Sequence, residues 1–499
     1  MTITENGVRG TAAESETVEP PAKRRRIRPG AILALVCGAQ FMVVLDIAIV
    51  NVALPSIQRD LSVGESTLQW VVTAYGLLLG GFLLFGGRMG DWLGRRRVFL
   101  TGLGVFSAAS LLAGVAQSVG LLIAARGLQG FGAALVAPTA LSILAVTFPE
   151  GQARNRALGI FGAVAGTSAS VGVITSGLLT DGPGWRWVFF INVPVGALLI
   201  ALAATLLSAD RPERGSARLD VAGALTVTGG LLLVVYALSR GADYGWTSDR
   251  TLMSFATAAV LLAAFVRIEA RSPAPLVPAV ALRNRTLVAA DVSSFFTFGA
   301  MFSFIFLASL LMQQVLGYSP TRTGVAWLAT TAPSFVAAAL AGSRLVAVVG
   351  VRRLLVTGLS LMAIGVLWMS RVPSDASYVS DVLPAFLLAG IAIGLCAPSL
   401  QIGALSGVAD SASGMASGLV ETMREIGGAA GVAVVSTVLV SRTGLSGFHV
   451  AFVVISITAA LGAVAAATGF PRHAHAAPAH PHHAHADHVH PDRPMEDAR

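Results

Sequence analysis

Five charged residues stand in stretches that are otherwise apolar: Asp46, Arg126, Glu421, Arg424 and Glu425. A charge at the centre of a hydrocarbon layer costs about 2.5 kcal/mol or more, so each must face protein, water or an opposite charge. A carboxylate can take up and release a proton as its surroundings change, whereas an arginine stays charged and only modulates its neighbours. Asp46 lies about eight residues, roughly 12 Å, from one end of its apolar run, and Arg126 lies about five residues, roughly 8 Å, from the matching end of its own. The two can share a depth and meet. A contact made in one state only acts as a proton switch; the alternative is a pair that merely fixes helix register. Glu421 and Glu425 are four apart and share a helical face at about 6 Å, with Arg424 on the neighbouring stripe. Two carboxylates that close do not both ionise in low dielectric unless Arg424 or water compensates, and they titrate as a pair. They are expected to line the central cavity in the inward-open state, with at least one recognising a cationic substrate or carrying the exchanged proton. The competing placement is at the inner interface, since the triplet starts only about nine residues, roughly 14 Å, after Ala412.

The elements that must hold these residues are membrane helices. The chain of 499 residues is 55% apolar and only 12% charged, with a mean hydropathy of +0.74. Soluble domains carry about 25% charged residues, so water is the wrong solvent for this composition. Fourteen apolar runs, from 31–54 to 449–470, have the length needed to cross about 30 Å of hydrocarbon. They are continuously apolar rather than alternating in segments of about ten, which excludes a membrane β-barrel. The first run follows Lys23, Arg24, Arg25, Arg26 and Arg28, is too long for a signal-peptide core and is read as a retained span. Cys37 and Cys396 both fall within apolar runs and make neither a disulfide framework nor a zinc set.

Arginine sets the orientation. With the first tail inside, 22 of the 34 basic residues fall on the inner side and seven in outer loops. The bias places both termini in the cytoplasm. It also explains the net charge of +8 without nucleic acid, because the arginines sit in short clusters between spans rather than on a basic face. The expected order is a basic disordered tail (1–30), a six-helix bundle (31–207), a linker with two additional helices (208–286), a second six-helix bundle (287–470) and a disordered His-rich tail (471–499). Glycines recur at spacing four, as at Gly86 and Gly90 or Gly414 and Gly418, a pattern that serves tight packing or sliding interfaces equally.

Several motifs resemble one family. Leu45-Asp46 followed by Asn51-Val52-Ala53-Leu54-Pro55 is similar to the first-span signature of the fourteen-span drug:proton antiporters of the major facilitator superfamily. Gly87-Arg88-Met89-Gly90-Asp91-Trp92-Leu93-Gly94-Arg95-Arg96-Arg97 resembles the superfamily's loop between spans two and three. Arg126-Gly127-Leu128-Gln129-Gly130 resembles its fourth-span signature, and Trp185-Arg186-Trp187 through Asn192-Val193-Pro194 that of the fourteen-span branch. Gly342-Ser343-Arg344 with Gly350, Arg352 and Arg353 is a fainter copy of the loop in the second half. The resemblance implies an all-α polytopic membrane protein with the major facilitator fold, 14 transmembrane helices and proton coupling at Arg126; the buried carboxylates Asp46, Glu421 and Glu425 are expected from their own chemistry to share in that coupling. It also implies conformational gating through Gly90, Asp91, Gly94, Arg95 and Arg96. The fifth span departs from the family, with Val173 where a proline is expected and Ser176 in place of a glycine.

These readings converge on secondary active export by alternating access, without cofactor or metal, driven by the proton gradient. Each entering proton supplies about 1.4 kcal/mol per pH unit and about 2.3 kcal/mol per 100 mV. No phosphate-binding glycine loop is present to support an ATP-driven pump. An importer of a small metabolite has similar helices; a channel needs a continuous polar lining that these spans lack, and an enzyme needs clustered catalytic side chains. Substrate contacts are expected at Gln40, Trp70, Phe298, Gln313 and Arg424, a set suited to amphipathic or cationic compounds. The expected partners are a small-molecule substrate, protons and the lipid bilayer, with no nucleic acid and a monomer as the working unit. Abundant Gly, Ala and Arg with almost no Lys point to a GC-rich bacterium and its cytoplasmic membrane. Asp291, near the inner start of the ninth span, is read as interfacial.

Overall fold

The computed structural model describes residues 29–208, 220–273, 275–442 and 444–471. The expectations for the basic tail and the His-rich tail fall almost wholly outside the described residues, as does much of the linker between the sixth and seventh helices. Thirteen helices among the described residues are long and apolar enough to cross a membrane. In chain order the long helices are α1 (Pro29–Leu61), α2 (Glu65–Leu93), α3 (Arg95–Gly114), α4 (Val119–Thr147), α5 (Gln152–Asp181), α6 (Trp187–Leu206) and α7 (Val221–Tyr244). There follow α8 (Asp249–Glu269), α9 (Arg285–Val315), α10 (Arg322–Val349), α11 (Val351–Met369), α12 (Tyr378–Leu405), α13 (Ser413–Val440) and α14 (Leu445–Gly469). Helices satisfy their own backbone groups, which is what lets apolar chain remain in lipid.

Packing is governed by small residues. Pro138 has no N–H, so the Ala134 carbonyl of α4 loses its helical partner, and Gly86 of α2 fits directly against that carbonyl where any side chain would collide. α4 thereby lies tightly on α2 and also on α3, while α1 pairs with α5 and α6 with α3. A second set repeats this scheme: α9 with α13 and α14, α11 with α12 and α14, α10 with α12. The sets meet through α2 and α4 against α13 and through α5 against α10 and α12. At the α5–α10 crossing, Gly159 and Gly342 face each other so closely that a side chain on either would strike the other's backbone.

α5 runs as one unbroken helix through the position where the family pattern expects a proline. Its seam with α1 is sealed by Gly172, whose hydrogen faces the Leu45 carbonyl and Ala48, and by Ser176 Oγ, which donates to the Ile49 carbonyl at 2.7 Å. α7 and α8 pair with each other; α7 also lies on both α2 and α13, while only 11% of the most apolar stretch of α8 is buried.

Candidate functional site

The centre of the first set of helices is a closed polar network. Gly130 lets α4 approach until its backbone meets the Tyr75 carbonyl of α2, and Gly132 does the same against Phe106 of α3. That proximity carries Arg126, 1% exposed, to Asp46, 0% exposed, with Nη1 2.5 Å from Oδ2. Arg126 also donates through Nε to the Val71 carbonyl at 3.1 Å and through Nη1 to Gln129 Oε1 at 2.9 Å, and its guanidinium lies 4.2 Å from the centre of the Tyr75 ring. The second oxygen of Asp46 accepts from Asn192 Nδ2 at 2.8 Å and from Gln129 Nε2 at 3.2 Å. Gln129 Nε2 also donates to Ser110 Oγ at 2.7 Å. Five helices, α1, α2, α3, α4 and α6, are thus tied to one carboxylate. The sequence-derived pairing of Asp46 with Arg126 is what the structure brings together; Gln129 and Asn192 stood in family motifs without a role at this site, and Ser110 and Tyr75 were not singled out. Gln129 could have been found, since it stands three residues after Arg126 on the same face.

The second assembly joins the two sets of helices end to end. Asp91 of α2 accepts from the backbone N–H groups of Gly414 at 3.0 Å and Met415 at 2.9 Å, so its carboxylate caps α13 from the other half of the molecule. An anion at a helix N-terminus satisfies orphan donors and meets the positive end of the helix dipole. Arg95 donates to the Asp410 carbonyl, to Ser413 Oγ at 3.2 Å and to Ser142 Oγ at 2.5 Å, and lies 3.5 Å from Asp91. Arg154 of α5 adds a contact at 3.5 Å to the Asp410 carboxylate. Beneath this latch α2 and α13 touch closely at glycine, because a side chain at Gly87 would fall on the Gly414 carbonyl. Gly90 faces Thr139 of α4, and Gly94 makes the α2–α3 turn at φ +94°, a conformation that favours glycine.

The third assembly lies on α13. Arg424 Nη1 is 2.5 Å from Glu421 Oε2 and its Nη2 is 3.0 Å from Glu425 Oε1, so the arginine bridges both carboxylates. Compensation by Arg424 is therefore the arrangement adopted. Glu421 is 4% exposed, and Glu425 lies beside Gly80 in the middle of α2, away from the helix end that would be required for snorkelling. Phe298 stands 5.6 Å from the Arg424 guanidinium. The other expected substrate contacts are not gathered here. Trp70 is stacked on Tyr236 of α7 at 6.2 Å with Arg240 at 4.8 Å, and Gln313 is exposed at the end of α9. Gln40 is buried with its carbonyl oxygen unpaired. Asp291 is half-buried, six residues after the start of α9, with one oxygen buried and unpaired.

The family described as Major Facilitator Superfamily matches residues 36–432, and again 290–490. The chain belongs to this superfamily. It is 39% identical over 417 residues to the puromycin resistance protein pur8 of Streptomyces alboniger, covering 82% of each chain. It is also 39% identical over 420 residues to the cephamycin export protein CmcT of Amycolatopsis lactamdurans, covering 82% of this chain and 85% of that one. The fold is similar to that of the human organic anion transporter MFSD10, with a TM-score of 0.66, 15% identity and coverage of 90% and 100% of the two chains. The superfamily fold is an all-α polytopic transport fold, not an enzyme scaffold.

Superfamily membership makes sense of the repeat between halves. Gly350 turns α10 into α11 at φ +84°, as Gly94 does for α2 and α3. Two residues after each glycine an arginine closes a helix C-terminus: Arg96 donates to the Ala204 carbonyl of α6 at 2.7 Å and Arg352 to the Ala467 carbonyl of α14 at 2.8 Å. The second copy has Ala347 where the first has Asp91, so only one of the two loops carries the acidic cap. The branch motif at 185–187 also has a physical reason: Trp185 Nε1 and Arg186 Nη1 both donate to Asp60 Oδ2, at 3.0 and 2.7 Å, joining the end of α1 to the start of α6. Those two bonds hold the Asp60 carboxyl below its ordinary range. A depressed carboxyl contributes stability that is present above about pH 4 and is lost only as pH falls through the lowered value. Asp60→Asn should therefore lower thermal stability equally at pH 5.5 and 8, with no change in the pH profile of transport; a stability loss confined to one end of that range would refute this account of the clasp.

Proposed function

We propose that this protein is a proton-coupled exporter of amphipathic or cationic compounds, antibiotics or secondary metabolites among them, working by alternating access in a bacterial cytoplasmic membrane. The observation that carries the reading is the Asp46–Arg126 pair, fully buried among apolar helices. A buried ion pair is a poor way to stabilise a fold, because desolvation offsets most of its attraction, but it is a good way to hold a carboxylate ionised until helices move. Resistance and export are what the names of the two relatives describe, and the second supports the direction of transport that helix geometry alone does not supply.

On this reading α5 also spans the membrane and brings the thirteen candidates to fourteen, α1–α6 and α9–α14 are the two bundles, and α7 and α8 are the insert between them. Both termini lie in the cytoplasm, which places the Asp91–Arg95 latch on the cytoplasmic side and makes this arrangement the one closed to the cytoplasm. Asp46 carries the exchanged proton and Arg126 discharges it. Glu421 and Glu425, with Arg424 shared between them and Phe298 beside it, form the face that meets a cationic substrate: a substrate cation can replace Arg424 on either carboxylate.

Everted vesicles with an imposed proton gradient test this directly. Uptake of a fluorescent cationic dye should depend on the gradient; flux that persists without it belongs to a channel, and outward movement to an importer. Glu421→Gln together with Glu425→Gln should reduce cation uptake at least about tenfold at unchanged abundance, the loss expected when charge-assisted contacts to a cation are removed. Normal rate and normal pH dependence in the double variant would take both residues out of the mechanism.

A further inference from the structure

Between the two charged assemblies stands one residue that neither uses fully. Tyr75 of α2 is 3% exposed, and its hydroxyl is buried without a hydrogen-bond partner. A buried hydroxyl left unpaired costs about 1–3 kcal/mol, so such a group persists where it finds its partner in another arrangement. Its ring carries the Arg126 guanidinium at 4.2 Å. The charged groups within electrostatic reach of its hydroxyl come from three other helices: Asp46 of α1, Arg126 of α4, and Glu425 with Arg424 of α13. The charge on α7, Arg240, is engaged further along α2 with Gln69 and Trp70. Five residues beyond Tyr75 on the same helix, Gly80 brings α2 against Glu425, with a side chain at that glycine only 3.6 Å from the Glu425 Cβ. The Tyr75 backbone is fixed by the close fit of Gly130, so the hydroxyl and not the helix is free to change partner.

We propose that Tyr75 is the positioning residue that couples the proton site to the substrate face: its ring holds Arg126 on Asp46 in the present arrangement, and its hydroxyl donates to the Glu425 carboxylate when a substrate cation or helix movement draws Arg424 away. No bond to hydrogen is broken in this step; the phenol keeps its proton and exchanges an unpaired state for a charge-assisted hydrogen bond. Turning the ring toward Glu425 takes its face from Arg126, loosens the hold on Asp46 and changes the proton affinity there. The inference rests on the roles assigned above to Asp46 and Glu425, and it adds the link between them, which have no contact of their own in the structure.

The test compares how much Glu425→Gln moves the pH midpoint of dye-induced proton release in two backgrounds, in purified full-length protein reconstituted in liposomes. With Tyr75 present the shift should be at least about fivefold in proton concentration, the ordinary size of coupling between two sites. With Tyr75→Phe, which keeps the ring and its contact with Arg126, the shift should fall below about twofold while dye binding at a fixed pH is retained. Tyr75→Leu, which loses ring and hydroxyl, should move the midpoint by itself. An undiminished shift in the Tyr75→Phe background, or no shift in the Tyr75 background, overturns the proposal. If instead Asp46→Asn leaves proton release intact, the assignment of the proton site fails first and this inference falls with it, so the two failures are told apart.

Discussion

Asp46→Asn should reduce substrate-induced proton release by at least about tenfold, because a carboxamide has no proton to exchange at neutral pH. The same change removes the charge that compensates Arg126 in a site with no water contact. Removing one partner of a buried pair costs about 3–5 kcal/mol, so lower abundance is expected as well, and by itself would explain a loss of transport. The double variant Asp46→Asn with Arg126→Gln separates the two effects. It is neutral, keeps amide partners for Gln129 and Asn192, and should recover abundance and thermal stability without recovering proton release. Proton release at the native stoichiometry and pH dependence in either variant would remove Asp46 from the relay.

Asp91→Asn should open the latched end. The carboxylate accepts from two backbone N–H groups at the start of α13 and lies beside Arg95, whereas an asparagine offers one neutral acceptor oxygen. Charge-assisted bonds exceed neutral ones by about 1 kcal/mol each, so the closed arrangement loses about 2 kcal/mol, roughly a thirtyfold change in its population relative to the open one. Spin labels at Arg97→Cys and Ser411→Cys, in a background where the buried Cys37 and Cys396 are replaced by alanine, report the distance across this end. The short distance should dominate in the native sequence and the long one in Asp91→Asn. Gly87→Val should give the same long distance for a different reason, since its side chain would collide with the Gly414 carbonyl while leaving Asp91 in place. An unchanged distance distribution in both variants would mean that this contact does not hold the molecule closed.

The solvent, the helical class and the family were all determined by the sequence alone, because they rest on local quantities: length of apolar runs, scarcity of charge and the order of short motifs. The meeting of Asp46 with Arg126 was legible for the same reason, since two opposite charges at equal depth in lipid have few other places to go. What joined them was not legible. Gln129, Asn192 and Ser110 are ordinary polar residues in sequence, and only the close approach of five helices brings Gln129 and Asn192 onto one carboxylate with Ser110 behind Gln129. The loop motif marked Asp91 and Arg95 as gating residues, but that the Asp91 carboxylate meets backbone amides of a helix some 320 residues away was decided by how α2 packs on α13. Trp70 shows the limit from the other side: an aromatic in a span can face substrate, lipid or another helix, and it was the docking of α7 that turned it to Tyr236 and Arg240. Sequence spacing fixes which residues share a face of one helix; which face meets which neighbour is settled only when glycines such as Gly86, Gly87 and Gly130 allow particular backbones to touch.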